Sequence, residues 1–398
     1  MINVVDKSQC CGCSACLNIC PRCAIEMLPD DMGFLYPKVN ANKCINCGLC
    51  EKVCSFNPNY DKSYLFPKPI VYGARNKNKE IVAQSQSGAV FYTIAMKVIE
   101  MGGTVYGAGF DSKFQVEHKR AETIDQVQEF RGSKYVQSTM NAIMNQVLAD
   151  LINERLVLFS GTPCQVAGLR SFLKLKRMDV SNLLCLDLVC HGVPAPYIWR
   201  DNLVDIEKGK KRKIIKVNFR DKTNYGWHSH VETYSFSDNT TFSSQHYTKI
   251  FYKHLILRQS CSVCYYTNLQ RTGDVTICDF WGMKNENPEW DSENKGVSLL
   301  MVNTEQGQKI LNLIRNDIEY FLCKTEDYIQ PNMMHPSEAN ANRDNFEKDY
   351  IRKGFSFVFR KYAVWGIKYR IRFWLKDPKY FLSTVLRMAL GHSKSTSK

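Results

Sequence analysis

Ten of the 17 cysteines fall within the first 54 residues, and eight of them form two runs of identical spacing. Cys10, Cys13, Cys16 and Cys20 recur 34 positions later as Cys44, Cys47, Cys50 and Cys54. Two neighbouring C-x2-C-x2-C-x3-C runs are the spacing that holds two [4Fe-4S] clusters. Three cysteines two residues apart wrap three irons of one cubane, and the displaced fourth reaches the neighbouring cluster. The predicted ligand sets are Cys10, Cys13, Cys16 and Cys54 for one cluster, and Cys44, Cys47, Cys50 and Cys20 for the other. Pro21 follows Cys20 as in the ferredoxin run, whereas Ser55 follows Cys54. Cys11 and Cys23 lie outside the pattern and read as small buried residues.

Other uses of these thiols fit the spacing less well. A disulfide framework needs an oxidising compartment, and the opening MINVVDKSQCC has no basic n-region, apolar core or cleavage site. Zinc is usually held by two C-x2-C pairs across a longer gap. No stretch reaches the roughly 18 uninterrupted apolar residues of a membrane span, so a cytoplasmic protein is expected. At 398 residues, 44% of them hydrophobic, the chain exceeds one core and is not a disordered polymer. The formal charge of +14 overstates its basicity. Each cluster with four thiolates contributes about −2, which leaves about +10 for two clusters. With no compact arginine-rich module, no nucleic-acid partner is expected.

Residues 1–58 read as a dicluster ferredoxin-like unit, with a hairpin turn at 29–33. A linker follows over 59–69, stiffened by Pro67 and Pro69. From residue 70 strands and helices alternate. Ser87 is the predicted N-cap of a helix that stops at Gly102-Gly103. A strand is expected at 104–108, helices at 125–130 and 140–154, and a buried strand at 156–159. That strand enters Gly161-Thr162-Pro163-Cys164-Gln165 and a further helix; a strand at 183–189 ends at Cys190-His191-Gly192. The pattern becomes strand-rich beyond 214, then helical over 247–257. Strands are expected at 275–277 and 297–302, a helix over 305–316, and no regular element after about 328. The fold class is α/β with α+β mixing, and sites are expected at strand C-terminal ends.

Cys164, Cys190, Cys261 and Cys264 form a second set, in which only the last two make a C-x2-C pair. Cys164 and Cys190 would end strands of one sheet and so lie close together. Spacing alone leaves two readings, a third metal centre or buried free thiols. Ser87-Gly88 at a helix start offers a hydroxyl and N–H groups to phosphate, or serves as an ordinary cap. Arg131, Ser133, Lys134 and Tyr135 combine cations, hydroxyls and a ring, which suits a dinucleotide. Lys134 is one of these cations, or a solvated loop lysine. His191 reads in sequence as a core histidine bonded to a backbone carbonyl, or as a ligand-facing one.

A family resemblance adds to this. Gln86-Ser87-Gly88, Arg131-Gly132-Ser133-Lys134-Tyr135-Val136, Gly161-Thr162-Pro163-Cys164-Gln165 and Cys190-His191-Gly192-Val193-Pro194 stand in one order. They continue with Phe219-Arg220-Asp221-Lys222, Ser260-Cys261-Ser262-Val263-Cys264, Asp274-Val275-Thr276-Ile277 and Asp279-Phe280-Trp281-Gly282. The chain thereby resembles the beta subunit of coenzyme F420-reducing hydrogenase and the related F420-linked dehydrogenase beta subunits. The resemblance implies one FAD and a third [4Fe-4S] cluster on Cys164, Cys190, Cys261 and Cys264. For that FAD, Lys134 is the candidate cation beside the flavin N1/O2 edge, and Gly161, Thr162 and His191 could line the flavin face. It also divides the core into an N-terminal part, 70–155, and a C-terminal part with that cluster, 156–330. Cys278 stands where relatives carry a small non-ligating residue, and Gln259 replaces a proline common before the Ser-Cys-x-x-Cys segment.

Residues 331–398 are a basic tail, with Arg360, Lys361, Lys368, Arg370 and Arg372 among Trp365, Phe373 and Trp374. Such a mixture suits a helix on an anionic membrane surface or one packed on the domain. The expected function is an iron–sulfur flavoprotein oxidoreductase. Hydride exchange at FAD with coenzyme F420 or another small hydride donor or acceptor would couple to single-electron transfer toward a redox partner protein or ferredoxin. An electron-transfer subunit without its own substrate, a peripheral-membrane electron carrier and a cluster-stabilised scaffold are the alternatives.

Overall fold

The computed structural model describes residues 1–363. Its strands in chain order are β1 (Ile25–Pro29), β2 (Leu35–Val39), β3 (Ile70–Asn76), β4 (Thr104–Phe110), β5 (Val116–Ala121), β6 (Val157–Gly161) and β7 (Leu183–Leu188). They continue as β8 (Ile214–Asn218), β9 (Glu232–Phe236), β10 (Thr241–Ser244), β11 (Val275–Asp279), β12 (Ser298–Val302) and β13 (Ile318–Leu322). The predicted N-terminal hairpin is β1 and β2, antiparallel from Ile25–Val39 to Pro29–Leu35. Asp30 fixes its turn by accepting from the N–H groups of Met32 and Phe34 at 3.0 and 2.9 Å.

Eight strands make one mixed sheet in the order β13-β3-β12-β11-β7-β6-β4-β5. The middle four run parallel, and antiparallel strands flank them on both sides. The segments expected as 70–155 and 156–330 thus contribute strands to the same sheet. β8, β9 and β10 form a separate antiparallel sheet.

Apolar runs make the central strands because both of their faces are buried. Val157 and Phe159 enter one core with Met144, Val147 and Phe172, while Leu158 enters the opposite core with Val90, Ile94 and Ile310. Helices Ile143–Ile152 and Pro163–Leu175 cover the first face, and Val90–Glu100 and Glu305–Ile314 the second. The N-terminal unit docks on the first face, where Ala15, Cys16, Ile19 and Val53 share a core with Leu169 and Phe172. The approach is closest at Gly168, where an added Cβ would lie 2.9 Å from Cys13 Sγ.

Several expectations are corrected. The helix after Gly88 begins at Val90 with Ala89, at φ +68°, in the cap position, so Ser87 is not its N-cap. The helix expected over 247–257 is His246–Tyr252, cut short by His254 in the left-handed region at φ +55°. β5, β13 and helix Arg343–Lys353 were not foreseen. β5 and the helix are rich in charged residues that blur an apolar period, and the two strands lie at the sheet edges. Cys23 is exposed, not buried, in a left-handed turn, while Cys11 is buried as expected. The start of the basic tail packs on the domain, with Phe355, Val358 and Ala363 buried. The rest of it, 364–398, lies outside the described residues. No described helix is long and apolar enough to cross a membrane.

Candidate functional site

The N-terminal cysteines fall into two separate groups. Cys10, Cys13, Cys16 and Cys54 line a cavity of about 440 Å³, together with Gly12 and Phe56. Burial, then the charges of Cys13, Cys10 and Cys54, push the Cys16 thiol far above its usual range. Cys20, Cys44, Cys47 and Cys50 line a second cavity. There the N–H groups of Ala24 and Ile2 donate to Cys20 and Cys50 sulfurs, each at 3.3 Å. In each group three thiols of one run meet the fourth of the other.

The later set is gathered by the sheet. β6 and β7 are parallel neighbours, so the residues after them emerge side by side. Thr162 caps helix Pro163–Leu175, with Cys164 in its first turn, and Thr162 Oγ1 lies 3.2 Å from Cys164 Sγ. Cys190 follows β7; Cys261 and Cys264 lie in and just after the 3-10 turn Gln259–Val263. Val193 N–H donates to Cys261 Sγ at 3.4 Å, tying the two loops together. Burial, then the charges of Cys261, Cys164 and Cys264, raise the Cys190 thiol, which places all four within one electrostatic neighbourhood. Cys278 stands apart on β11, where its sulfur accepts from Gln330 Nε2 at 3.3 Å. Cys11 is buried between the two sets, packed with Cys13, Cys54, Cys164 and Cys264. Its thiol hydrogen-bonds Cys13 and Cys164, and this contact holds Cys164 down to about 7.

An all-thiolate donor set fits iron–sulfur chemistry. Among the described residues no three His, Cys, Asp or Glu side chains converge tightly enough to hold one metal ion. The N-terminal groups instead ring cavities, as a cubane requires when each iron takes one thiolate.

The residues expected to touch a flavin are divided in their surroundings. Ser87 Oγ donates to Val297 O at 2.6 Å, and Gly88 N–H to Ser298 Oγ at 3.0 Å. Both donors are therefore engaged within the protein. Gly88 also has no room for a side chain, since a Cβ would meet Ala74 O at 2.2 Å. Arg131 donates to Gln84, Gln128, Ile81 O and Ser85, yet its Nε is buried without a partner, as is Gln86 Nε2. Lys134 Nζ donates to three carbonyls of its own loop, and burial lowers it to about 7. The Tyr135 ring packs on His230 and Phe251, burial raises its hydroxyl, and Ser133 is exposed. Gly161 ends β6, and Thr162 is the helix cap.

Sequence reasoning gave no role to several residues found beside these. Lys222 Nζ donates to the carbonyls of Val82, Ser87 and Lys295, and burial lowers it to about 8. Arg131 and Arg220 act on it electrostatically. Arg131, Lys134 and Lys222 have no carboxylate within ion-pair distance among the described residues. His191 shares a hydrogen bond of 2.8 Å with His254 Nε2, and its other nitrogen faces Asn332 at 3.0 Å. Its ring packs on Phe251 and on Tyr252, a side chain 54% exposed. His191 thus sets an aromatic wall beside Cys190, and the Phe251 ring also meets Tyr135, at the end of the loop that carries Arg131 and Lys134.

Residues 154–327 match the family model for the C-terminal part of the coenzyme F420 hydrogenase/dehydrogenase beta subunit, and residues 9–57 match that of the 4Fe-4S dicluster domain. The chain thus carries a 4Fe-4S dicluster domain and a region similar to the C-terminal part of the F420 hydrogenase/dehydrogenase beta subunit. All four later cysteines lie inside the beta-subunit match and the eight earlier ones inside the dicluster match, while Ser87, Gly88 and Arg131 through Tyr135 precede the former. An uncharacterized polyferredoxin-like protein of Methanocaldococcus jannaschii is 38% identical over 58 residues, 13% of this chain, and the chain spans 34% of that relative's length. A chain of the F420-reducing [NiFe] hydrogenase complex from Methanosarcina barkeri is similar at 16% identity and a TM-score of 0.45, over 75% of this chain and 92% of that one.

Proposed function

We propose that the protein is an FAD-dependent iron–sulfur oxidoreductase with three [4Fe-4S] clusters, exchanging hydride with a small organic partner and single electrons with a redox protein. The observation that carries this reading is that the first and third cysteine groups lie close together around Cys11, and that His191, next to Cys190, is joined through Phe251 to Tyr135 of the cationic loop. Cys164, Cys190, Cys261 and Cys264 would hold the third cluster beside His191. FAD bound beside these residues would supply the exchange between paired and single electrons that a cubane cannot perform. Arg131, Lys134 and Lys222 supply positive charge for an anionic ligand, and the orphaned donors of Arg131 and Gln86 fit phosphate or ring oxygens. His191 and His254 share one proton between their Nε2 atoms and can hold it near a hydride partner. From the third group the cysteines lead past Cys11 to the exposed Cys47, where an external ferredoxin would meet the chain. The relatives' names make coenzyme F420 the first hydride partner to try.

A second reading is an electron-transfer subunit without a substrate of its own. The engagement of Ser87 Oγ and Gly88 N–H inside the protein favours it, because the expected phosphate donors are already used. Anaerobic purification with iron, sulfide and flavin counted per chain separates the two. About twelve irons and one FAD are expected from three cubanes and a flavin. Twelve irons without flavin would support the second reading, and about eight would remove the third cluster.

A further inference from the structure

Four arginines are buried among the described residues, Arg220, Arg258, Arg271 and Arg343. Three of them face a carboxylate: Arg220 and Asp279 at 2.5 Å, Arg271 and Asp187 at 3.6 Å, Arg343 and Glu347 at 2.8 Å. Arg258 is 1% exposed and has no described carboxylate within ion-pair distance. Its Nε donates to Cys10 O at 2.7 Å and Nη1 to Gln137 Oε1 at 2.8 Å. Nη2 donates to Leu35 O at 2.9 Å and to Cys10 Sγ at 3.6 Å. The Tyr36 ring centre lies 4.2 Å from the guanidinium carbon. These partners satisfy the N–H groups and leave the charge uncompensated, an arrangement that is strongly destabilising in a dry interior. Among the described residues, the acidic side chains beside it are cysteine thiols. Arg258 Nη2 reaches Cys10 Sγ of the first group, and Cys261 of the third donates its N–H to Arg258 O at 3.0 Å, with Cys13 and Cys164 within the same electrostatic neighbourhood.

We infer that Arg258 is the shared counter-charge of two clusters, the one on Cys10, Cys13, Cys16 and Cys54 and the one on Cys164, Cys190, Cys261 and Cys264, and that it raises the reduction potential of both. The inference rests on the ligand sets proposed above. Reduction adds one negative charge to a cluster, and a fixed cation nearby favours that state; a hydrogen bond to a ligand sulfur acts in the same direction. The outer group on Cys20, Cys44, Cys47 and Cys50 has no contact with this guanidinium. The chain also makes room for it: a Cβ on Gly12 would fall 2.8 Å from Arg258 Nη1.

The test is an EPR-monitored redox titration of anaerobically purified full-length protein, with iron counted in every preparation. Arg258→Gln is expected to lower the one-electron reduction constant of two clusters about tenfold, about 59 mV in midpoint, and to leave the outer one unmoved. No shift, or an equal shift in all three, overturns the proposal. Arg258→Lys keeps the charge and loses the bond to Cys10 Sγ, so a smaller fall confined to the Cys10 cluster is expected. If Arg258→Gln does not retain iron, the lysine variant decides, and an unmoved Cys10 cluster overturns the proposal. Native protein with only about eight irons and two midpoints would fail the ligand reading itself, and the sharing with it.

Discussion

The two N-terminal cysteine runs share one backbone and live in opposite surroundings. Gly12 and Asn46 occupy equivalent positions at φ +73° and +53°, and Ser14 and Gly48 at +63° and +72°. Each loop is therefore bent by two left-handed residues between its thiols. The residue after the first cysteine tells them apart. Cys11 is 7% exposed and packed against Cys164, whereas Ile45 is 59% exposed. A repeat in sequence thus becomes an inner station wedged on the core and an outer one open to solvent. Local spacing sets the cage, and docking sets its environment.

Removing one thiolate should test this most severely. Cys16→Ser and Cys47→Ser are each expected to lose about four irons. Only the first should also lower the unfolding midpoint, because Cys16 shares a core with Ile19 and Leu169; equal midpoints in anaerobic thermal melts would erase the distinction. The left-handed pair comes next. Asn46→Ala is expected to cost about 1 kcal/mol from backbone strain alone. Gly12→Ala adds the collision with Arg258 and Gln137, for roughly 2–5 kcal/mol in denaturant titration. Chelation should be biphasic, with the outer four irons leaving first; a single phase in the bleaching of cluster absorbance would count against it. Ile45→Asp should slow reduction of an added ferredoxin and leave iron content and stability unchanged. The smallest effect is expected from Cys11→Ala, about 1 kcal/mol for a lost buried hydrogen bond, against none for Ile45→Ala.

The cages were legible because cluster ligands obey fixed local gaps. The strands before Cys164 and Cys190 were legible because central parallel strands are apolar throughout. What sequence concealed depends on residues far apart in the chain. Arg258 finds Cys10 248 positions away, and Ser87 spends its hydroxyl on Val297 rather than on a helix terminus. Edge strands such as β5, Val-Glu-His-Lys-Arg-Ala, carry charges on their open side and do not announce themselves. Lys222 stood in a family motif but without a role, since an ammonium buried among carbonyls reads in sequence like any surface lysine.

Gly168 gives the seating of the N-terminal unit a final consequence. Helix Pro163–Leu175 touches the sulfur of Cys13 only because that position carries hydrogen where any other residue carries carbon. One methyl group would lever the ligand loop outward and widen the gap an electron has to cross. The span between inner stations is thus set by an atom that is missing, and a silent-looking Gly168→Ala exchange would be felt as slower internal transfer with every thiolate still in place.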